Sequence, residues 1–474
     1  MANMILSFAL LIFAASMLAG LVDSNTLMCP STSSVSWRRP FVNNKNAGHI
    51  FNSILDSMRQ FGESLHHNGM SFFFATVPQG TELYRGTAIS KPVTRMQFLA
   101  FEPEHALAVV RTVNPKATHL YFHTYRTKRI LRLIYIDGQS AAKSKKGVFD
   151  TQDFVIRDGT KPAPPSIDPP GALGDSERAV ELCDVLKDKV DGFIRMQGGF
   201  ETLLCSNQHH PPLRLVKINP LSLATKTNWM NLGQAVAARY DGIGNHRVVL
   251  NYDHMISLYA YGDLVYFDSL GLPRINNQST WLSAAKSDLF DLAKRSTHQS
   301  HNHDWQAVVD MIVARYGDKI QYLASGMIRD SKEFISFVSP IMDPFIDYSH
   351  RDPKREAIAC VAQFWPDDTH CNWWSCPKCS VAAQAIHRVA RRICTTFSTI
   401  EVGDSADLIK VQNDFQSLQA WLGWSSFKRC RACTVDGICV VPIWPVGTRQ
   451  EYHQPQCRRS MHGLIGSNNT YWND

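Results

Sequence analysis

Apolar and polar positions alternate over Glu82-Leu83-Tyr84-Arg85, and this period of two predicts a short half-buried strand. The apolar run Phe72-Phe73-Phe74 precedes it across Pro78 and Gly80, and Gly86 ends it. The strongest strand region runs from His119 to Asp137, as Leu120 to Tyr125 and then Ile130 to Ile136, closed by the turn Asp137-Gly138. Asp191 to Met196 and Glu201 to Cys205 read as two further strands around Gln197-Gly198-Gly199, and Val248 to Tyr266 is strand-like. Helical spacing appears in Ile50 to Leu65, where Phe51, Ile54, Leu55, Met58 and Phe61 share a stripe. Pro103 beside Glu102 and Glu104 starts a second helix, and Ser176 caps a third that reaches Lys189. Trp229 to Tyr240, Trp305 to Leu323, Ser380 to Thr396 and Leu408 to Leu422 complete the helices, with Pro340 and Pro344 expected to break Phe334 to Tyr348.

Strands concentrated early and helices late give an α+β class. The expected division is a leader over 1–24, a mixed β domain over 47–218, a mixed or helical region over 221–350, and a largely helical, disulfide-rich module over 351–474. A chain of 474 residues, 44% hydrophobic and 19% charged, has the material for real cores. The net charge of +7 is mild for this length, so nucleic acid is not expected as a partner.

Met4 to Val22 is almost wholly apolar and is followed by small residues, as in a cleaved secretory leader; a retained anchor is the alternative. No later stretch has the apolarity of a membrane helix, so stable insertion is not expected after cleavage. Twelve cysteines suit an oxidising, extracellular destination, and nine of them fall from Cys360 onward. Asn277-Gln278-Ser279 and Asn468-Asn469-Thr470 have the form of glycosylation acceptors.

The candidate chemistry begins with Arg85. A lone guanidinium at a strand end beside a glycine is suited to gripping two phosphate oxygens; an ordinary turn with a surface arginine is the simpler alternative. Glu201 also lies at a strand edge beside glycines. Facing one cleft, the arginine would fix a pyrophosphate, while the carboxylate would stabilise positive charge on a ribose as its glycosidic bond breaks. Thr124 lies between them and offers a hydroxyl.

Leu83-Tyr84-Arg85-Gly86-Thr87 resembles the first-strand motif of ADP-ribosyltransferases, one branch of which uses Arg, Ser and Glu in that chain order. Gly199-Phe200-Glu201 is similar to the family's late motif, where the catalytic glutamate opens a strand. The resemblance implies an ADP-ribosyltransferase-like fold, NAD as substrate, Glu201, Arg85 and Thr124 as catalytic residues, and contacts to NAD from Tyr84, Arg85, Gly86 and Thr87. The family's Ser-Thr-Ser is absent around Thr124. Gly199 stands where enzymes that modify protein side chains carry Glu or Gln, which leaves NAD hydrolysis open beside transfer. The whole chain also resembles a group of uncharacterised secreted proteins of filamentous fungi.

Other clusters carry alternatives. Cys371, Cys376 and Cys379 beside His370, and Cys430, Cys433 and Cys439, fit either a zinc site or disulfides; disulfides are expected in an exported chain, among them Cys183–Cys205 and Cys360–Cys394. No metal is expected at His298, His301 and His303, where Asp304 caps the following helix. Arg126, Lys128, Arg129 and Arg132, with Lys143, Lys145 and Lys146, read as the solvated face of an edge strand. A non-catalytic alternative gives the work to the Cys- and Trp-rich module, which would bind a glycan or a protein through exposed aromatics.

Overall fold

A computed structural model describes residues 40–66, 68–92, 96–114, 116–142, 147–157, 174–205, 212–224, 228–237, 247–295, 303–365, 379–400, 407–439 and 448–460. The leader therefore lies outside the described residues. Nine strands form one sheet: β1 (Ser71–Val77), β2 (Glu82–Thr87), β3 (Gln97–Ala100), β4 (Tyr121–Thr127), β5 (Leu131–Ile136), β6 (Gly192–Met196), β7 (Phe200–Leu204), β8 (Leu213–Pro220) and β9 (Val249–Ser257). Their order across the sheet is β8-β4-β2-β3-β7-β6-β5-β1-β9. The β5–β6 pairing is parallel and the other pairings are antiparallel. The Phe72-Phe73-Phe74 run forms a strand paired on both sides, by β5 and β9, which is why it lacks alternation.

The helices, in chain order, are α1 (Ala47–Leu55), α2 (Gln60–Leu65), α3 (Pro103–Val113), α4 (Asp150–Ile156), α5 (Asp175–Val185), α6 (Trp229–Ala237), α7 (Leu282–Ala293), α8 (Trp305–Ala324), α9 (Ser331–Met342), α10 (Pro353–Ala362), α11 (Val381–Ser398), α12 (Leu408–Leu422) and α13 (Arg449–His453). Two short two-stranded ladders pair β10 (Val265–Phe267) with β11 (Pro273–Ile275), and β12 (Ile438–Cys439) with β13 (Cys457–Arg458). Pro340 lies inside α9 rather than ending it.

The mixed α+β class holds. The expected boundaries at 218 and 350 do not follow the packing. Strand β9, from the middle region, is an edge of the same sheet, paired with β1. Helix α11 packs on α1 and β9, α12 packs on α8, and one continuous core runs from Val42 to Trp424. Asn52 on α1 donates to the Leu422 carbonyl at 2.9 Å, which ties the first helix to the end of α12. Composition marks where the chain bends; it does not mark which distant strand completes a sheet.

Both disulfides expected by residue number are present: Cys183–Cys205 and Cys360–Cys394, with Cα separations of 5.3 and 5.9 Å. The first staples α5 to the end of β7. Cys430–Cys439 and Cys433–Cys457 are paired as disulfides as well. Cys371 and Cys376 lie outside the described residues. Among the described residues no helix is long and apolar enough to cross a membrane.

Candidate functional site

The register across the sheet decides what the motif residues can do together. Tyr84 pairs with Thr124 on one side and with Ala100 on the other; Ala100 pairs with Glu201, and Glu201 with Arg195. Residues directly opposite one another project from the same face. Thr124, Tyr84, Ala100, Glu201 and Arg195 therefore form one row on one face. Arg85 is the next residue along β2 and projects from the other face, with its register partner His123. The convergence of Arg85 with Glu201 that the motifs imply is not found: β3 separates their strands and the sheet separates their side chains.

Glu201 is 8% exposed and is occupied. Arg195 Nε donates to it at 2.9 Å, and the same guanidinium, fully buried, reaches Asp175 at 2.8 Å and Gln152 at 3.1 Å. Its plane lies over Phe98, 5.0 Å from the ring centre. Desolvation works against its charge, but Asp175 and Glu201 more than offset this and raise the pKa of Arg195. A buried cation held by two carboxylates on the sheet and at the start of α5 is a structural tie. Sequence reasoning missed Arg195 because nothing in Phe193-Ile194-Arg195-Met196 distinguishes an inward arginine from an outward one.

Gly86 does give close approach, but to the protein itself. A Cβ there would stand 2.4 Å from the Val110 Cβ and 2.6 Å from the Ala106 carbonyl oxygen, both on α3. The space assigned to a nucleotide is filled by a helix. Gly86→Ala is accordingly expected to cost about 1–3 kcal/mol by overpacking, read as a lower urea midpoint; an unchanged midpoint would show that α3 yields freely. Tyr84 stacks on Phe122 at 5.7 Å and donates to Glu82 at 3.3 Å, while buried Thr87 accepts from the Ile89 amide at 3.2 Å. Thr124 is half-buried in the row.

Arg85 has an unusual environment. Its Nε and Nη1 are buried and have no hydrogen-bond partner. Burial lowers its pKa, and the group nearby that favours its charge is the Tyr125 phenol, not a carboxylate. His123 is fully buried beside it. The Ile89 carbonyl accepts from His123 Nε2 at 3.0 Å, which leaves Nδ1 to accept from the Tyr125 hydroxyl at 3.1 Å. Burial and the nearby Arg85 guanidinium both lower the pKa of His123, and so favour its neutral form.

The remaining clusters make contacts within the protein, and Lys143, Lys145 and Lys146 lie outside the described residues. Arg126 pairs with Glu82 at 2.5 Å and Arg129 with Asp191 at 2.7 Å, while Arg132 donates to the carbonyls of Ala293 and Arg295 at 3.1 and 2.7 Å. Asp304 caps α8 by accepting from the Ala307 amide, and His303 bonds Asp253 at 3.0 Å; His298 and His301 lie outside the described residues. An open cavity of about 810 Å³ beside Cys183–Cys205 is lined by Arg129, Arg132, Lys187, Lys189 and Asp191 among others, and by none of Arg85, Thr124 and Glu201. In the C-terminal part, Trp424 is buried between Phe51 and Phe427, and Trp365 packs on Trp305. Trp373, Trp374, Trp444 and Trp472 lie outside the described residues.

Comparison with known proteins adds one finding. The YPL277C N-terminal domain family matches residues 37–118 and 110–243. The N-terminal part of this chain resembles an uncharacterised family of fungal proteins. Two relatives from Saccharomyces cerevisiae, the uncharacterized proteins YOR389W and YPL277C, are each 29% identical over 202 and 203 residues, 34% of this chain. The matches take in 31% and 40% of those proteins' own lengths. No solved structure matches. The matched segment contains Arg85, His123, Thr124, Arg195 and Glu201. It stops short of β9, which completes the sheet, and of every cysteine from Cys360 onward.

Proposed function

We propose that the N-terminal domain binds a small anionic ligand, with Arg85 as the recognising group. The observation that carries this reading is the guanidinium itself: two of its nitrogens are buried without a partner, beside a histidine whose neutral form is favoured. A desolvated cation without a counter-charge is costly, and a phosphate or carboxylate would supply both the charge and the missing acceptors. NAD, through its pyrophosphate, is one ligand of this chemistry.

Binding without cleavage is the form that the geometry favours. Breaking the nicotinamide–ribose bond would ask Glu201 to leave Arg195, and would ask a ligand to meet groups on both faces of the sheet. An exported, disulfide-bonded binding protein accounts for the cysteines equally well, with recognition in the N-terminal domain rather than in the tryptophans of the last quarter.

Titration calorimetry with pyrophosphate, ADP-ribose and NAD tests this. Arg85→Gln is expected to weaken binding by about ten-fold or more, the loss of a charge-assisted hydrogen bond. No heat with any of the three, or equal affinity in the variant, would remove the proposal. Nicotinamide release from NAD that disappears in Glu201→Gln would restore the catalytic reading.

A further inference from the structure

The β12–β13 ladder gathers four sulfurs from Cys430-Arg431-Ala432-Cys433, Cys439 and Cys457. Cys439 and Cys457 are directly opposite in the ladder, yet they are not bonded to each other. Each is joined instead to one cysteine of the preceding turn, as Cys430–Cys439 and Cys433–Cys457. The two disulfides stand side by side: the Sγ atoms of Cys430, Cys433 and Cys457 all lie within 4.8 Å of one another. The Cys430 amide donates to the Cys439 sulfur at 3.3 Å, so the fourth sulfur is already oriented by the turn. Among the described residues this is the group of side chains close enough to share a metal ion.

We propose that these four cysteines form a zinc site when reduced, and that the paired disulfides are its oxidised state. Four thiolates on zinc, at Zn–S distances of about 2.3 Å, stand roughly 3.8 Å apart, a spacing within the 4.8 Å that already holds three of these sulfurs. Cys430-x2-Cys433 supplies one closely spaced pair, and Cys439 and Cys457, opposite one another in the β12–β13 ladder, supply the other two sulfurs of a four-thiolate set.

Charge gives a second, independent argument. Lys428, Arg429, Arg431, Arg458 and Arg459 lie within two residues of Cys430, Cys433 or Cys457. Disulfides are neutral, and Lys428 donates instead to the Tyr452 carbonyl at 3.3 Å. Arg458 and Arg459 find Glu451 and Asp436, at 2.6 and 3.4 Å. Zinc with four thiolates carries a net charge of −2, which such a rim stabilises.

The interconversion balances with a dithiol reductant. Each disulfide accepts two electrons and two protons from one dithiol, giving two thiols and one oxidised dithiol. Binding of one Zn²⁺ to the four thiols then releases four protons.

The test uses the full chain, reduced anaerobically with a phosphine and titrated with Co²⁺ as a spectroscopic probe. Expected are thiolate-to-cobalt charge transfer and the visible bands of a tetrahedral site, saturating at one Co²⁺ per chain and displaced by one Zn²⁺. Cys433→Ser with Cys457→Ser is expected to abolish the signal; Cys183→Ser with Cys205→Ser is expected to leave it intact. Absence of the tetrahedral spectrum, or its survival in the first pair of variants, overturns the proposal. Elemental analysis of chain produced in a reducing cytosol gives a readout that needs no reduction step: one zinc per chain is expected, and none counts against the site.

Discussion

Arg195→Met is expected to lower the unfolding free energy by about 3–5 kcal/mol, because it removes the buried guanidinium that two buried carboxylates share. Glu201 and Asp175 are each 8% exposed, and the Arg195 guanidinium is the cation that lies against both. Asp175 is the first residue of α5, so the loss also loosens the helix that carries Cys183 to its partner Cys205. Methionine keeps much of the apolar stem and removes the charge. Urea unfolding followed by fluorescence measures the effect. Adding Glu201→Gln to Arg195→Met is expected to recover part of the loss, since one of the two buried negative charges is then gone. A single variant within about 1 kcal/mol of wild type would show that water reaches the site and that the tie is weak.

That measurement also bears on Glu201 directly. A carboxylate kept for catalysis would be dispensable for stability, and Glu201→Gln would leave the urea midpoint unchanged. A carboxylate kept as a tie is not dispensable, and the same substitution would weaken the fold. The two outcomes separate the roles without knowledge of any substrate.

The strands were legible where alternation or an apolar run was bounded by turn residues. Glu82 to Arg85 and the two runs between Leu120 and Ile136 form strands as their patterns require, and the stripe from Val308 to Ile320 forms α8. Faces were not legible. In a strand the difference between Tyr84 and Arg85 is a single position, yet one faces Glu201 across Ala100 and the other faces away. Only the register decides which, and register is a property of paired strands rather than of either strand alone. Long-range closure was hidden for a related reason. Val249 to Ser257 looks like any half-buried strand, and nothing in it names β1, more than 170 positions earlier, as its neighbour. Cysteines fared better, because a helix followed by a strand leaves few partners in reach. The Cys183–Cys205 pairing needed only that local order.

Asp137 is expected to make the protein more stable in acid than at neutrality, by roughly 3 kcal/mol at the upper limit. It ends β5 with its carboxylate buried, and burial pushes its pKa up from 3.8 to about 6, against the Ser71 amide that donates to it at 2.7 Å. Buried Glu63 is nearby, held by the Tyr135 hydroxyl and the Gly138 amide, and burial together with Asp137 pushes its pKa upward as well. The sign follows from proton counting. Between pH 3.8 and about 6 the folded form keeps a proton on Asp137 that the unfolded chain has released. Stability is therefore fully present below the lower value and is lost as pH rises through the upper one. Asp137→Asn keeps an oxygen for the Ser71 amide and removes the titration. Urea unfolding of both proteins from pH 3.5 to 7.5 should give curves that diverge through this window, with the variant the more stable above it. Relief of Glu63 adds to that gap, because its carboxyl no longer faces a second negative charge. Parallel curves across the whole range would show that Asp137 titrates alike in the folded and unfolded chain, and that its burial does not set the acid response.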